Sequence, residues 1–201
     1  MCRPGGGVAK LNNMDGENRA GTDTVIETED GWALSLALGE KKGAWRVEIE
    51  FGRQESDLTQ ISLSGFDDQS DPPRPFSELH PVIGDVSIDR LLANVYRDFN
   101  LTSQLTPYVM AGAGFAKIEF SKVRYARTRP GNLEAQFFYE EKQSDLPFAF
   151  QLGLGLVGRV SENFFAEVGY RFFYPVTPDF EYLADINIRG HQVLFGLRYH
   201  F

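Results

Sequence analysis

Charged side chains recur at every second position along one segment of this 201-residue sequence, and their spacing sets what chemistry they could do. Arg46, Glu48 and Glu50 alternate with large apolar residues between positions 45 and 51. Because successive side chains of a β-strand point to opposite faces, the guanidinium and the two carboxylates would share one face. If that face is enclosed, the charges must form ion pairs, since an unpaired buried charge is very costly.

A second candidate, the stretch Gly153-Leu-Gly-Leu-Val-Gly158, matches the glycine pattern of dinucleotide-binding proteins. That chemistry needs a helix next, with its N-terminus facing the phosphate. Here a short polar stretch, residues 161–163, and another alternating segment follow, so the glycines are interpreted as small residues of a strand. The three histidines, His80, His191 and His200, show no spacing typical of a metal site. We therefore predict no cofactor and no metal.

The composition bounds the class of protein. The length fits one domain, residues 1–201. The chain is 42% hydrophobic and carries 17 Phe and 20 Gly, as expected of a β-rich protein whose apolar and polar residues alternate. Its formal net charge of −8 argues against nucleic acid as a partner, because phosphate binding needs a basic surface. The single cysteine, Cys2, excludes an intrachain disulfide.

Period-two alternation between turn signals predicts eight strands. The last strand places Val193, Phe195, Leu197, Tyr199 and Phe201 on one apolar face. The predicted strands cover roughly residues 5–12, 24–38, 44–58, 85–99, 107–120, 147–160, 164–174 and 191–201.

The connections between these strands alternate in length. Short turns are predicted at residues 39–43, 100–106 and 161–163, and long polar loops at residues 13–23, 59–84, 121–146 and 175–189. Short turns on one rim and long loops on the other are typical of bacterial outer-membrane barrels. We therefore predict an all-β fold, an eight-stranded antiparallel up-and-down transmembrane β-barrel with periplasmic turns and extracellular loops.

The polarity of the strands decides between a membrane barrel and a soluble, lipocalin-like carrier. No segment reaches the roughly 18 apolar residues of a transmembrane helix. The segment 45–51 fits either barrel. In the segment 148–157, five large apolar residues alternate with Ala, Gln, Gly and Val. A narrow eight-stranded lumen has room only for the smaller set, so the large residues are predicted to face lipid.

The polar faces of the strands then define a predicted lumen. Its members are Arg46, Glu48, Glu50, Arg90, Asn94, Lys117, Glu119, Gln151, Arg159, Glu167, Arg171 and Arg198. We expect Glu48 and Glu50 to pair across the lumen with Arg171, Arg198 or Lys117 and to leave no open pore; a gated path for ions or small solutes is the alternative. Aromatic residues near strand ends are predicted to form interfacial girdles. These are Trp32, Trp45, Tyr108, Tyr170 and Tyr174.

Seven segments, in this order along the chain, resemble the OmpA-like, opacity-type family of outer-membrane β-barrels, also called porin-family small barrels. They are Gly31-Trp-Ala-Leu-Ser-Leu-Ala-Leu-Gly39, Trp45-Arg-Val-Glu-Ile-Glu-Phe-Gly52, Leu92-Ala-Asn-Val-Tyr-Arg-Asp-Phe99, Thr106-Pro-Tyr-Val-Met-Ala-Gly-Ala-Gly114, Phe150-Gln-Leu-Gly-Leu-Gly155, Glu167-Val-Gly-Tyr-Arg171 and Leu197-Arg-Tyr-His-Phe201.

The resemblance implies a bacterial outer-membrane location and a signal peptide that has been removed or truncated, since Met1-Cys-Arg-Pro-Gly-Gly-Gly7 has no apolar centre. It also implies insertion by the barrel-assembly machinery, with the apolar face of the last strand as the assembly signal. Some small barrels modify lipid A with a His-x-Ser pair. His80 and His191 are each followed by Val two residues on, which argues against an enzyme.

The long polar loops are the predicted functional surface, because loops on a rigid scaffold carry recognition. We expect a monomer with a structural, adhesive or surface-antigen role, in contact with outer-membrane lipid and lipopolysaccharide. A host or surface ligand would bind through the loops. The alternatives are a narrow pore and, less favoured, a soluble carrier.

Overall fold

A computed structural model describes residues 1–18, 23–67, 72, 74–99, 104–127, 136–139, 142–176, 178 and 183–201. Within these ranges the structure is β throughout, and no helix in them is long and apolar enough to cross a membrane. The strands are β1 (Cys2–Leu11), β2 (Met14–Asn18), β3 (Asp23–Thr28), β4 (Gly31–Lys42), β5 (Trp45–Asp67), β6 (Arg74–Asp98), β7 (Leu105–Arg127), β8 (Gln136–Tyr139), β9 (Gln143–Asp145), β10 (Phe148–Arg159), β11 (Phe164–Pro175), β12 (Leu183–Asn187) and β13 (Gly190–Tyr199).

Eight of these strands form a closed antiparallel ring. Around the ring the order is β1, β4, β5, β6, β7, β10, β11 and β13, and β13 pairs again with β1. The closing seam runs from Cys2 opposite Tyr199 to Leu11 opposite Gly190. Closure leaves the ring without an open strand edge, as a strand-built structure in lipid requires. The predicted fold class, an eight-stranded up-and-down barrel, is confirmed.

One rim of the barrel has tight turns. The β4–β5 hairpin closes over only Gly43 and Ala44, with Lys42 opposite Trp45. Gly43 has φ of 61°, a conformation open to glycine at little cost. The turn predicted at residues 39–43 is therefore shorter than expected. The turn at residues 161–163 lies between β10 and β11 as expected, and residues 100–103 fall outside the described part of the chain.

The opposite rim is a tall β-structure, and the prediction of irregular loops there is wrong. In place of a loop over residues 59–84, β5 and β6 continue as a hairpin up to the pair Asp67 and Arg74. A register shift between Leu58 and Gln60 interrupts the period-two pattern, which is why the alternation was not recognised. Short strands β2, β8, β9 and β12, with the upper part of β7, occupy parts of the other three predicted loops.

The lower part of the ring is apolar outside and charged inside. Ile49 on β5 and Leu152 on β10 expose 54% and 59% of their surface. The inward-pointing Glu48 and Arg171 expose 1% and 2%. A soluble barrel has the reverse polarity, so the lipocalin-like alternative is wrong. Large apolar side chains that point away from the core need a nonpolar solvent, and the hydrocarbon of a bilayer supplies it.

The polarity reverses part-way up the strands. Beyond Phe51, the outward positions of β5 are Arg53, Glu55 and Asp57, whereas the inward position that follows them is the buried Leu58. The same reversal occurs on β6 and β7. The upper part of the ring therefore buries apolar side chains and exposes charges, except at Leu79 and Ile83 of β6, which are 62% and 75% exposed. The change at residues 51–53 marks where β5 leaves the apolar zone.

Candidate functional site: the barrel lumen

The lower lumen is filled by ion pairs that join opposite walls. Glu50 is bound at both carboxylate oxygens: Oε1 accepts from Nη1 of Arg171 at 2.5 Å, and Oε2 accepts from Nη2 of Arg3 at 2.7 Å. These residues lie on β5, β11 and β1, so the pairs span the interior of the ring. Because all three side chains are buried, the charges compensate one another at short range.

Glu48 extends this network toward the turn rim. Its Oε2 accepts from Nη2 of Arg3 at 2.8 Å, and its Oε1 accepts from Nη1 of Arg46 at 2.6 Å. Nη2 of Arg46 also lies 3.7 Å from Oδ1 of Asp98, and Oδ2 of Asp98 binds the Lys41 ammonium at 2.6 Å. The ion pairs therefore run continuously from the middle of the lumen to the rim.

A third carboxylate and two tyrosines complete the charged layer. Glu167 on β11 pairs with Arg198 on β13 and hydrogen-bonds the hydroxyl of Tyr108. The rings of Tyr96 and Tyr108 meet edge to face, with centroids 5.5 Å apart. The Arg46 guanidinium lies over the Tyr96 ring at 3.7 Å, within the range of a cation–π contact.

Amide side chains occupy the lumen at the next levels. Gln151 donates to Oδ1 of Asn94 at 2.7 Å, joining β10 to β6. Gln192 donates to Oε1 of Gln54 at 2.7 Å and accepts from Arg90 at 3.2 Å, joining β13, β5 and β6. These contacts link strands on different sides of the ring, and they hold the cross-section closed above the charged layer.

Above the amides, the interior becomes an apolar core. Phe173 on β11 belongs to this core, and the central carbon of the Arg90 guanidinium lies 5.1 Å from the centre of its ring. The charged and polar side chains therefore fill only the lower part of the lumen. The buried members of the core are Leu11, Met14, Ile26, Leu58, Val82, Val86, Ile88, Leu92, Ala116, Ile118, Phe120, Val123, Ala149, Phe173, Ile186 and Ile188.

Most of the predicted lumen residues do lie inside the ring. The structure brings into the interior Arg46, Glu48, Glu50, Arg90, Asn94, Gln151, Glu167, Arg171 and Arg198. Glu50 pairs with Arg171, which is one of the three partners predicted for it. Glu48 instead pairs with Arg3 and Arg46, and Arg198 pairs with Glu167.

Three predicted lumen residues lie elsewhere. Lys117 and Glu119 point outward, and half of the Lys117 side chain is exposed, because the inward positions of this part of β7 are Ala116 and Ile118. They lie above the polarity change, where charges belong on the outside. Arg159, at the end of β10, is exposed and donates to the backbone carbonyl of Ser161.

Outward at the upper rim, Glu119 sits between two lysines. Its carboxylate accepts from Lys142 at 2.7 Å and from Lys117 at 2.9 Å. These hydrogen bonds to ammonium groups lower the pKa of the Glu119 carboxyl below its usual range.

Four of the five residues predicted for the aromatic girdle point outward. Trp32, Trp45, Tyr170 and Tyr174 point outward from the ring. Tyr108 is buried in the lumen, and the prediction for it is wrong: its strand position is inward, where its hydroxyl meets Glu167. The apolar face of the last strand is also exposed, at Val193, Phe195, Leu197, Tyr199 and Phe201.

Sequence reasoning missed several lumen residues. Arg3 carries two of the central ion pairs, but it precedes a Pro-Gly-Gly-Gly run that has no alternation to set its face. Tyr96, Asp98, Gln54 and Gln192 do occupy inward positions of strands that were recognised. The period-two signal was therefore sufficient to find these four. Among the described residues there is no cluster of three or more His, Cys, Asp or Glu side chains that could hold a metal ion.

The sequence matches the family described as outer membrane protein beta-barrel domain over residues 3–201. The chain belongs to this family. The barrel is accordingly a bacterial outer-membrane protein, in agreement with its outward apolar zone.

Several solved structures are similar to this chain. Neisserial surface protein A matches with a TM-score of 0.58 and 14% identity, over all of this chain and 97% of that one. The outer membrane protease OmpT of Escherichia coli matches with a TM-score of 0.49 and 9% identity, over 100% and 96% of the two chains. Ail, the attachment invasion locus protein of Yersinia pestis, matches with 0.47 and 16%, over 100% and 97%. No curated protein matches the sequence.

Proposed function

We propose that this protein is a closed outer-membrane scaffold that does not conduct, and that its role is structural and adhesive, exerted through the tall rim. The observation that carries the proposal is the filled lumen. A solute would have to displace first the ion pairs around Glu50 and then the apolar core around Phe173. Both layers are connected across the ring, so neither leaves one side chain free to swing aside as a gate.

The same packing argues against catalysis in the lumen. A general acid or base must reach the proton that it transfers. Glu48, Glu50 and Glu167 are each buried and held by arginines, so a substrate has no route to them.

The rim is the surface that remains for recognition. On this proposal the tight turns face the periplasm and the β5–β6 hairpin projects from the cell. Outward charges next to the apolar zone, among them Arg53 and Lys117, lie at the height of lipopolysaccharide headgroups. The barrel-assembly machinery would recognise the exposed apolar face of β13. The barrel works as a monomer, with any host or surface ligand bound by the rim.

Planar-bilayer recordings test the closed lumen. The full chain is refolded, and its native state is verified by heat-modifiable gel mobility before reconstitution. The expected result is a silent bilayer. Steady, discrete openings that scale with the amount of folded protein would contradict the proposal and favour the narrow pore.

A shortened hairpin tests the adhesive role. Leu58 and Gly84 are paired across β5 and β6, so residues 59–83 can be replaced by a two-residue turn without changing the ring below. Cells that display this variant are expected to lose attachment to host cells while the barrel stays folded. Undiminished attachment would exclude the hairpin as the adhesive surface.

A further inference from the structure

Arg90 is a buried cation without a counter-ion among the described residues. Its side chain is 1% exposed, and no described carboxylate oxygen lies within 4.0 Å of its guanidinium. Its Nη2 donates to the amide oxygen of Gln192 at 3.2 Å, while Nε and Nη1 have no protein partner. Burying an unpaired charge costs several kcal/mol or more, so this arrangement needs compensation.

A comparison of the buried positive and negative charges in the described interior also leaves Arg90 without a counter-ion. Its buried arginines are Arg3, Arg46, Arg90, Arg171 and Arg198, and its buried carboxylates are Glu48, Glu50, Glu167 and Asp98. Both oxygens of the nearby Glu50 are taken by Arg171 and Arg3. Asp98 is shared with Lys41 at the far rim. The interior therefore carries an excess positive charge, and Arg90 is where it resides.

The unpaired nitrogens of Arg90 and Gln54 are donors, and the unpaired hydroxyl of Ser35, in the same row as Arg90, can donate as well as accept. Gln192 accepts from Arg90 and donates to Gln54, which leaves the Gln54 amide nitrogen without a partner. Arg90 Nε, Arg90 Nη1 and Gln54 Nε2 can only donate. A group that satisfies them must be an acceptor, and a negative charge would also neutralise the guanidinium. Water satisfies this set less well, because each molecule brings two donors of its own.

Small residues neighbour Arg90 across the sheet. Backbone pairing between neighbouring strands places one residue from each of β13, β1, β4, β5, β6 and β7 in a single row that faces the lumen. This row reads Gly196, Gly5, Ser35, Gly52, Arg90 and Ala116. A Cβ at Gly52 would lie 3.1 Å from Arg90 Nη2 and 3.3 Å from Arg90 Nε, so this glycine makes room for the guanidinium itself.

We propose that a monovalent anion of halide size, chloride under ordinary conditions, binds in the lumen beside Arg90. It accepts a hydrogen bond from Arg90 Nη1 or Nε and another from Gln54 Nε2, and it completes the charge balance at the junction between the ion pairs and the apolar core. A small monovalent ion fits both the single excess charge and the enclosed position. This inference goes beyond the scaffold role, since a closed barrel could exist with or without the ion.

Halide-dependent stability of the full chain, refolded in detergent micelles, is the first test. Sodium bromide is exchanged for sodium gluconate at constant ionic strength, because gluconate is too large for the lumen. Above the dissociation constant, each tenfold increase in bromide should raise the folded-to-unfolded ratio about tenfold. Gln192→Glu places a carboxylate on Arg90 with little change in shape, and it should fold and remove the bromide dependence. The matched variant Gln60→Glu, on the rim hairpin, should retain it.

Anomalous diffraction from wild-type crystals grown in bromide is the second test, and it does not depend on any variant folding. The expected result is a bromine peak within hydrogen-bond distance of Arg90 Nε or Nη1. Equal stability in bromide and gluconate, together with water and no bromine at Arg90, would overturn the proposal. A bromide dependence that Gln192→Glu leaves unchanged would place the ion elsewhere and would also overturn it.

Discussion

Removing the charge of Glu50 tests the buried network most severely. Glu50→Gln preserves the shape of the side chain but abolishes the pairs with Arg171 and Arg3, at 2.5 and 2.7 Å. All three side chains are almost fully buried, so Arg171 would be left without its carboxylate and Arg3 would keep only its pair with Glu48, in a medium of low polarity. Breaking a buried pair by removing one partner typically costs about 3–5 kcal/mol. Because two pairs are lost here, we expect a loss of unfolding free energy at the upper end of that range.

The matched control is Glu55→Gln on the same strand. Its partner Arg53 lies 3.6 Å away, and the two side chains are 36% and 46% exposed. An exposed pair of this kind contributes at most about 1 kcal/mol. Urea titrations of the refolded barrel in lipid vesicles measure both variants, with tryptophan fluorescence as the signal, because Trp32 and Trp45 face the lipid. If Glu50→Gln were as stable as Glu55→Gln, the network would not be buried as described, and the reasoning would fail.

Three further predictions follow from the polarity, the seam and the rim. Ile49→Arg, in the outward apolar zone, should lower the unfolding free energy by about 2–4 kcal/mol, whereas Glu55→Arg, above that zone, should change it by less than about 1 kcal/mol, both by urea titration. Gly7→Ala should weaken barrel closure and the heat-modifiable gel band, because the added methyl would overlap the backbone carbonyl of Val193 on β13. Gly6→Ala is the control, because its methyl would meet the flexible side chain of Leu34 at 3.1 Å and the Ala33 carbonyl at an ordinary 3.6 Å. Since hydrogen bonds from two lysines lower the pKa of Glu119, its stabilisation is present above the pKa of the unfolded chain and is lost as the pH falls through the folded value. Glu119→Gln should therefore make the loss of stability below about pH 4.5 slightly shallower, by less than about 1 kcal/mol, in urea midpoints measured against pH.

Strand alternation was enough to orient the residues of the lower barrel. On β5 and β10, every second residue is large and apolar while its neighbours are charged or small, so the inward direction of Glu48 and Gln151 could be read from the sequence. The fold followed from eight such segments joined by turns of alternating length. Local sequence carries this information because the side-chain period of a strand is two.

The errors arose where that period is uninformative. On β7, Gly112 and Ala113 give both faces a similar character, and Lys117 was assigned inward on the assumption that every charge faces the lumen. Above the apolar zone the opposite holds. The bulge after Leu58 concealed the tall hairpin. The prediction names Arg171 among three candidate partners of Glu50 but cannot single it out, and it misses Arg3, because alternation gives a direction but not the residue across the lumen.

Accessibility of nitroxide labels along β5 and β10 would test the central claim, the apolar exterior and its reversal, most directly. Single cysteines replace Ile49, Leu152, Arg53 and Asp57 in a Cys2→Ser background, and the labelled barrels are inserted in lipid vesicles. Labels at 49 and 152 are predicted to collide with dissolved oxygen and to be shielded from a water-soluble nickel complex. Labels at 53 and 57 should show the reverse. Labels at 49 and 152 that collide with the nickel complex as freely as those at 53 and 57 would contradict the account.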